Sequence, residues 1–196
     1  MTAIVDYGAG NIFSLCCALE RCGESYSVTS NRSVIRGASH IILPGVGEAS
    51  MVMKGIKERG LDLLIKELKQ PLLGICIGMQ VLCSYSEEGE TETLALFDNR
   101  VVRIGGEGLK IPHMGWNRVS GTESVLLEGI GDNEWFYFVH SYAPEVGKTS
   151  KAVTMYGKLF TSVLERENLF GTQFHPEKSG DAGERLLKNF LNINGK

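Results

Sequence analysis

The spacing of apolar residues divides the chain in two. "TAIVDY", near the start, is a short unbroken apolar run and predicts a buried strand, and the glycines after it predict a turn. Ile12, Leu15, Cys16 and Leu19 then fall at i, i+3, i+4 and i+7, the stripe of an amphipathic helix, with Gly23 placed to end it. "HIILPGVG" repeats the apolar run and the glycine turn. "LDLLIKELK" repeats the stripe at Leu61, Leu64, Ile65 and Leu68, and Pro71 stops it. "QPLLGICIGMQVL" supplies another run, another turn and another helix start. Strand, turn and helix in repetition predict a mostly parallel sheet flanked by helices, an α/β fold.

After about Glu87 the pattern becomes strand-like. "RVVRI", "WFYFVHSY", "AVTMYG", "FTSVLE" and "LFGTQF" read as strands joined by short turns, an additional β-rich portion in the second half. A last amphipathic helix carries Leu186, Leu187, Phe190 and Leu191, with Asp181 as its candidate cap. No linker, repeat or low-complexity stretch interrupts the pattern, so a single domain over residues 1–196 is expected.

Composition narrows the function classes. The chain is 43% hydrophobic and 22% charged, ordinary for a soluble globular protein. Its formal net charge is −3 and its basic residues are scattered, which argues against nucleic acid and anionic membranes as partners. No uncharged apolar run approaches the ~20 residues of a membrane span, and "MTAIVDYGAGN" lacks the basic and long apolar regions of a secretory signal. The cysteines are Cys16, Cys17, Cys22, Cys76 and Cys83. An odd number, three of them crowded together, does not read as a disulfide framework, and no Cys/His pair has zinc spacing. A cytoplasmic protein without a bound metal is expected.

Cys76 stands out against that background. "GICIG" has the form G-x-C-x-G, the cysteine counterpart of a nucleophile elbow. A turn this tight strains the backbone at the nucleophile and leaves no room for side chains two residues before and after it. It also sets the sulfur at a helix N-terminus, which favours thiolate, and leaves the Ile77 amide facing any oxyanion formed there. The competing reading is a packing cysteine in an ordinary turn, which is the better reading for Cys83 inside the next helix.

A thiol nucleophile needs a base, and the base an orienting group. His175 stands in "GTQFHPEKSG" at a strand end, and Pro176 biases it toward extended backbone. Extended backbone would put Glu177, two residues on, on the same side. The acid follows the histidine, the reverse of the α/β-hydrolase order. His140 also ends a strand and is a rival base, although a structural role is the simpler reading for it, as for His113 and His40. "DYGAGN" offers G-x-G after a strand, but Phe13 occupies the place of the third glycine, so a dinucleotide cofactor is rejected.

"PGVG" (44–47), "GICIGMQVL" (74–82), "HSY" (140–142) and "QFHPEKSG" (173–180) occur in the order and separation of the class I (triad) glutamine amidotransferases, which the chain resembles over nearly its whole length. "DYGAGN" and "PHMGWN" narrow the resemblance to the glutaminase subunits that serve a synthase (cyclase) of histidine biosynthesis. The resemblance implies a flavodoxin-like core and hydrolysis of L-glutamine by Cys76 as nucleophile, His175 as base and acid, and Glu177 as orienting carboxylate. It implies an oxyanion hole at Val46, Gly47 and Ile77, with a peptide flip at Val46. Glutamine contacts would come from Gly47, Gln80, Ser141 and Tyr142, and no cofactor is implied. The synthase subunit would be a heterodimer partner facing Asn11, Met114, Trp116, Tyr137 and Lys178. By composition alone Trp116 and Tyr137 read as core instead. The rival functions are a stand-alone cysteine hydrolase, a binding module with a vestigial site, and a glutaminase serving a sugar-modifying synthase.

Overall fold

The computed structural model describes residues 1–8 and 12–194. The first half alternates strands β1 (Thr2–Val5), β2 (Tyr26–Thr29), β3 (His40–Leu43) and β4 (Leu72–Ile75) with helices α1 (Phe13–Arg21), α2 (Arg32–Gly37), α3 (Ala49–Glu58), α4 (Leu61–Glu67) and α5 (Ile77–Leu82). The second half holds β5 (Tyr85–Ser86), β6 (Thr91–Glu92), β7 (Arg100–Arg103), β8 (His113–Val119), β9 (Glu134–His140), β10 (Tyr142–Pro144), β11 (Ser150–Tyr156), β12 (Lys158–Arg166), β13 (Leu169–Thr172) and α6 (Gly180–Leu191).

Seven strands form the central sheet in the order β11-β12-β13-β4-β3-β1-β2. From β2 to β13 the neighbours are parallel, and β12 and β11 add antiparallel strands at one edge. The expected α/β class holds. The β-rich second half contributes three strands to the main sheet, a small sheet in the order β10-β7-β5-β6, and the β8–β9 hairpin.

The central strands β1, β3, β4 and β13 are fully buried because they feed two cores. Alternate residues face opposite ways, so Ile41, Leu43 and Leu72 pack with Val52, Ile56, Leu61 and Leu64, while Ile42, Leu73, Ile75 and Phe170 pack with Leu15, Leu19, Leu187 and Phe190. Each such side chain removed from water contributes on the order of 1.5–3 kcal/mol.

Helix ends follow local chemistry. At the end of α1, Gly23 takes φ 75, its N–H bonds the Glu20 carbonyl, and the Glu24 N–H bonds the Leu19 carbonyl, a left-handed glycine stop as the sequence predicts. At α6 the expectation fails: Ser179, not Asp181, occupies the cap position, and its hydroxyl bonds the His175 carbonyl at 2.6 Å instead of a helix amide. Asp181 lies inside the first turn, where its charge still suits the helix N-terminus. No helix among the described residues is long and apolar enough to cross a membrane.

Candidate active site

The site lies where β3, β4 and β13 end, outside the carboxyl edge of the sheet, the usual place for a ligand in an open α/β fold. β4 runs into α5 through Cys76, whose backbone takes φ 51 and ψ −110, a strained conformation for any residue but glycine. A Cβ on Gly74 would stand 2.6 Å from the Gly78 and Met79 backbone, and one on Gly78 would fall on the Leu43 carbonyl at the end of β3. The first contact is the crowding within the turn that the sequence predicts. The second comes from a neighbouring strand, which the sequence could not show. The Cys76 N–H bonds the Thr172 carbonyl at 2.7 Å and its carbonyl accepts from the Gln80 N–H at 3.0 Å, so both sides of the turn are fixed. The side chain is 4% exposed.

His175 leaves β13 in extended backbone and donates its N–H to the Tyr137 carbonyl. It does not meet Glu177 through strand alternation, as the sequence suggested. Pro176–Lys178 form a 3-10 turn closed by the Lys178 N–H on the His175 carbonyl, and this turn brings Glu177 back onto the ring. Nδ1 stands 2.8 Å from Glu177 Oε1. Nε2 and Glu177 Oε2 are buried without a hydrogen-bond partner. Burial lowers the pKa of His175, but the neighbouring Cys76 and the bond to Glu177 outweigh it and push the value up to about 10. A group so placed holds a proton beside the Cys76 sulfur and can pass it on through the unpartnered Nε2.

The rival base is excluded by its bonding. His140 Nδ1 faces the Tyr142 carbonyl at 2.8 Å and Nε2 faces His113 Nδ1 at 3.0 Å, so neither nitrogen is free. Burial, first of all, holds its pKa down to about 3. His40 is bonded to Ser39 and to the Ile193 carbonyl, and it does not line the cavity over Cys76.

That cavity, of about 320 Å³, opens over the sulfur and is lined by Val46, Gly47, Ile77, Gln80, Ser141, Tyr142, Lys178, Cys76 and His175 among others. Every expected oxyanion and glutamine-binding residue therefore meets at one cavity. Two details bear on how these residues could act. Gln80 cannot grip a ligand through its amide nitrogen, which is engaged by the Tyr142 carbonyl at 2.7 Å and Gln173 Oε1 at 3.0 Å; only its buried, unpartnered Oε1 remains to accept. The backbone of Val46 lies close to the Tyr7 hydroxyl. Glu88, from a segment with no recognisable sequence signal, also lines the cavity. Its carboxylate takes the Ala49 N–H at 2.9 Å, and burial raises its pKa above the ordinary range.

Trp116 and Tyr137 are cross-strand partners on the hairpin, their rings 6.2 Å apart. Trp116 is 52% and Met114 64% exposed, so the compositional reading of Trp116 as core is wrong. Tyr137 is half-buried and Lys178 exposed. Asn11 lies outside the described residues. Phe13 opens α1 with its side chain 72% exposed, so it does not crowd the helix–strand contact in the way the argument against a dinucleotide supposed. No group of three acidic, histidine or cysteine residues among the described residues is arranged to hold a metal.

A buried thiol on a strained elbow, beside an imidazole held by a carboxylate, is an arrangement able to attack a carbonyl carbon and move a proton, and the wider comparison gives the chain a family. The profile described as "Glutamine amidotransferase class-I" matches residues 3–193, and the chain belongs to that family; it is a glutamine amidotransferase. It is 48% identical over 193 residues to the imidazole glycerol phosphate synthase subunit HisH of Bacteroides fragilis, covering 97% of this chain and 98% of that protein. The protein of the same name from Haemophilus influenzae is 44% identical over 189 residues, covering 96% and 95%. Among solved structures, a glutamine amidotransferase from Thermotoga maritima superposes with a TM-score of 0.64 at 16% identity, covering 97% of this chain and 82% of that one. Another glutamine amidotransferase superposes with a TM-score of 0.75 at 19% identity, covering 97% and 96%; both are likenesses of fold.

Proposed function

We infer that this chain is the glutaminase subunit of an imidazole glycerol phosphate synthase. It hydrolyses L-glutamine to glutamate and ammonia and hands the ammonia to a cyclase subunit that makes imidazole glycerol phosphate and aminoimidazole carboxamide ribotide in histidine biosynthesis. The observation that carries the chemistry is the meeting of Cys76 and His175 at one cavity, with Glu177 bonded to the imidazole. Identity near one half along essentially the whole length of the HisH subunits supports the choice of synthase.

The thiolate of Cys76 attacks the side-chain carboxamide carbon of glutamine. The oxyanion is met by the Ile77 amide, first in its helix and so without a helical acceptor, and by the Val46 or Gly47 amide once the loop has turned. His175 gives its proton to the departing nitrogen as the C–N bond breaks, leaving a γ-glutamyl thioester and ammonia. His175, now neutral, takes a proton from water as the water adds to the thioester carbon, and Cys76 leaves again as thiolate with glutamate released. Glu177 holds the ring and its cation. Gln80 Oε1 and Glu88, both acceptors on the cavity wall, suit the substrate's ammonium group. Met114, Trp116, Tyr137 and Lys178 form the face toward the cyclase, and the heterodimer works in the cytoplasm.

The test combines two measurements. Mass spectrometry after incubation with an electrophilic glutamine analogue should find the adduct on Cys76. Glutamine turnover should be very low for the chain alone and rise by roughly 10²–10³ with the cyclase and its nucleotide ligand bound. An adduct on Cys83 or Cys16, or full activity without partner, would overturn the reading.

A further inference from the structure

Gln173 is completely buried between Thr172 and Phe174, directly after β13. A buried carboxamide is costly unless its groups are bonded, and its bonds run to the reactive sulfur. Nε2 donates to Cys76 Sγ at 3.6 Å, and Oε1 accepts from Gln80 Nε2 at 3.0 Å.

Which end of the amide faces the sulfur is fixed by the groups behind it. The Tyr142 carbonyl can only accept, so the Gln80 group 2.7 Å away must be its nitrogen. That nitrogen's second proton points at Gln173, so the oxygen of Gln173 faces Gln80 and its nitrogen faces Cys76. The same carbonyl forces a proton onto His140 Nδ1, which leaves His140 Nε2 as an acceptor for His113 Nδ1–H. His113 Nε2 in turn accepts from Asn117 Nδ2 at 3.2 Å, and Asn117 also donates to the Met155 carbonyl at 3.1 Å. Two arms meet at the Tyr142 carbonyl: the Asn117–His113–His140 chain donates into it and anchors it, while Gln80 donates to it and, with its second proton, to Gln173, so that acceptor fixes the direction of each bond out to the sulfur.

We propose that Gln173 is a further catalytic residue, an amide donor to the Cys76 thiolate, and that Gln80, the Tyr142 carbonyl and the His140–His113–Asn117 chain are positioning groups that hold this donor toward the sulfur. The thiol form has a different use for the space: its S–H faces the Val139 carbonyl at 3.8 Å. The donor therefore acts when sulfur is charged, in the attacking thiolate and again as the thioester collapses. This inference rests on Cys76 being the nucleophile. The titratable groups facing Cys76 are His175 at the end of β13 and Tyr7 after β1, with His140, Glu88 and Lys178 on the cavity wall.

The experiment follows the rate of Cys76 alkylation by iodoacetamide against pH in the full chain, read by peptide mass so that Cys16, Cys17, Cys22 and Cys83 are scored apart. Gln173→Leu keeps the volume and removes the donor. Its labelling midpoint should move up by about one pH unit or more, since a bond to a charged group is worth that much. With the cyclase present, its kcat for glutamine should fall about tenfold with KM little changed. A folded Gln173→Leu chain with the wild-type labelling profile would overturn the proposal. Should Gln173→Leu not fold, the wild-type chain decides: the Gln173 side-chain amide resonances should titrate with the Cys76 labelling midpoint and shift when Cys76 is alkylated. Indifference of those resonances to the state of Cys76 would overturn it equally. Failure of Cys76 to take up the glutamine analogue is a separate result, and it would count against the nucleophile itself.

Discussion

The Tyr7 hydroxyl donates a 2.6 Å hydrogen bond to the Pro44 carbonyl, and the backbone of Val46, two residues on, lies close to the same hydroxyl. Tyr7 thus ties the "PGVG" loop at Pro44. Gly45 sits so close to β4 that a Cβ there would fall on the Ile75 carbonyl, and Gly47 takes φ 110, so the peptides around Val46 are free of the steric limits that a side chain would set. A loop tethered in this way is restrained from turning the Val46 amide toward an oxyanion at Cys76. We predict that Tyr7→Phe raises glutamine turnover by the chain alone about tenfold, part of the roughly 10²–10³ that one oxyanion donor supplies. Val46→Pro has no N–H to deliver and should lose most of the stimulation by partner. Steady-state ammonia release from both variants checks this, and a Tyr7→Phe chain no faster than wild type would show that the hydroxyl does not restrain the loop.

The 2.8 Å contact between His175 and Glu177 sets a rank order. Glu177 orients the ring and supports its cation, whereas His175 moves the proton. His175→Ala should therefore cost roughly 10- to 100-fold more in kcat/KM than Glu177→Gln. Losses of equal size, or in the reverse order, would contradict the assignment.

The proton on His175 gives a prediction for pH. Its pKa is raised from 6.5 to about 10, so the folded chain binds this proton where the unfolded chain has lost it. The resulting stabilisation is complete below about pH 6.5 and disappears as the pH rises through about 10. We predict that the ring nitrogens of His175, followed by NMR, remain protonated through neutral pH. In Cys76→Ala the sulfur's charge is gone and burial weighs more heavily, so the midpoint should drop and the alkaline loss of stability should flatten. A midpoint unmoved by Cys76→Ala would mean that the sulfur does not hold the proton.

The site was more legible in the sequence than the fold around it. "GICIG" announced itself because a nucleophile turn leaves no room for side chains, and Gly74 and Gly78 do sit against backbone. β1, β3 and β4 were readable because burial on both faces makes a strand uniformly apolar. β8 was missed for the opposite reason. Three of its four inward positions, His113, Gly115 and Asn117, are polar or without a side chain and only Val119 is apolar, while Met114 and Trp116 face outward, so the usual code is largely inverted. β2 is too short and too exposed to show a pattern, and α3 carries its apolar residues around a glycine that lies against the Tyr7 carbonyl. Gln173 and Glu88 were invisible because their meaning depends on partners up to 97 residues away, which no local spacing encodes.

The inverted code of β8 leads to the last prediction. His113 and His140 are both buried among Phe138, Phe160 and Tyr156, bonded to each other at 3.0 Å, and both neutral. Burial is the first cause in each: it lowers His113 from 6.5 to about 4, and it lowers His140 to about 3 against the raising effect of the Tyr142 carbonyl. The sign is opposite to that of His175. Between about pH 6.5 and 4 the unfolded chain takes up protons that the folded chain refuses, so the stabilisation is complete above about 6.5 and is lost as the pH falls toward 4. Stability should therefore peak near neutrality, limited by this pair on the acid side and by His175 on the alkaline side. Urea unfolding of the full chain at pH 7, 6, 5 and 4.5 reads the acid limb. His140→Asn should lower stability at pH 7 by about 1–3 kcal/mol, because the Tyr142 carbonyl and the His113 N–H lose a buried partner, while flattening the decline below pH 6.5. A variant that declined as steeply as wild type would place the acid sensitivity in other groups, and an undiminished stability at pH 7 would show that the His140 bonds do not hold the Tyr142 carbonyl in place.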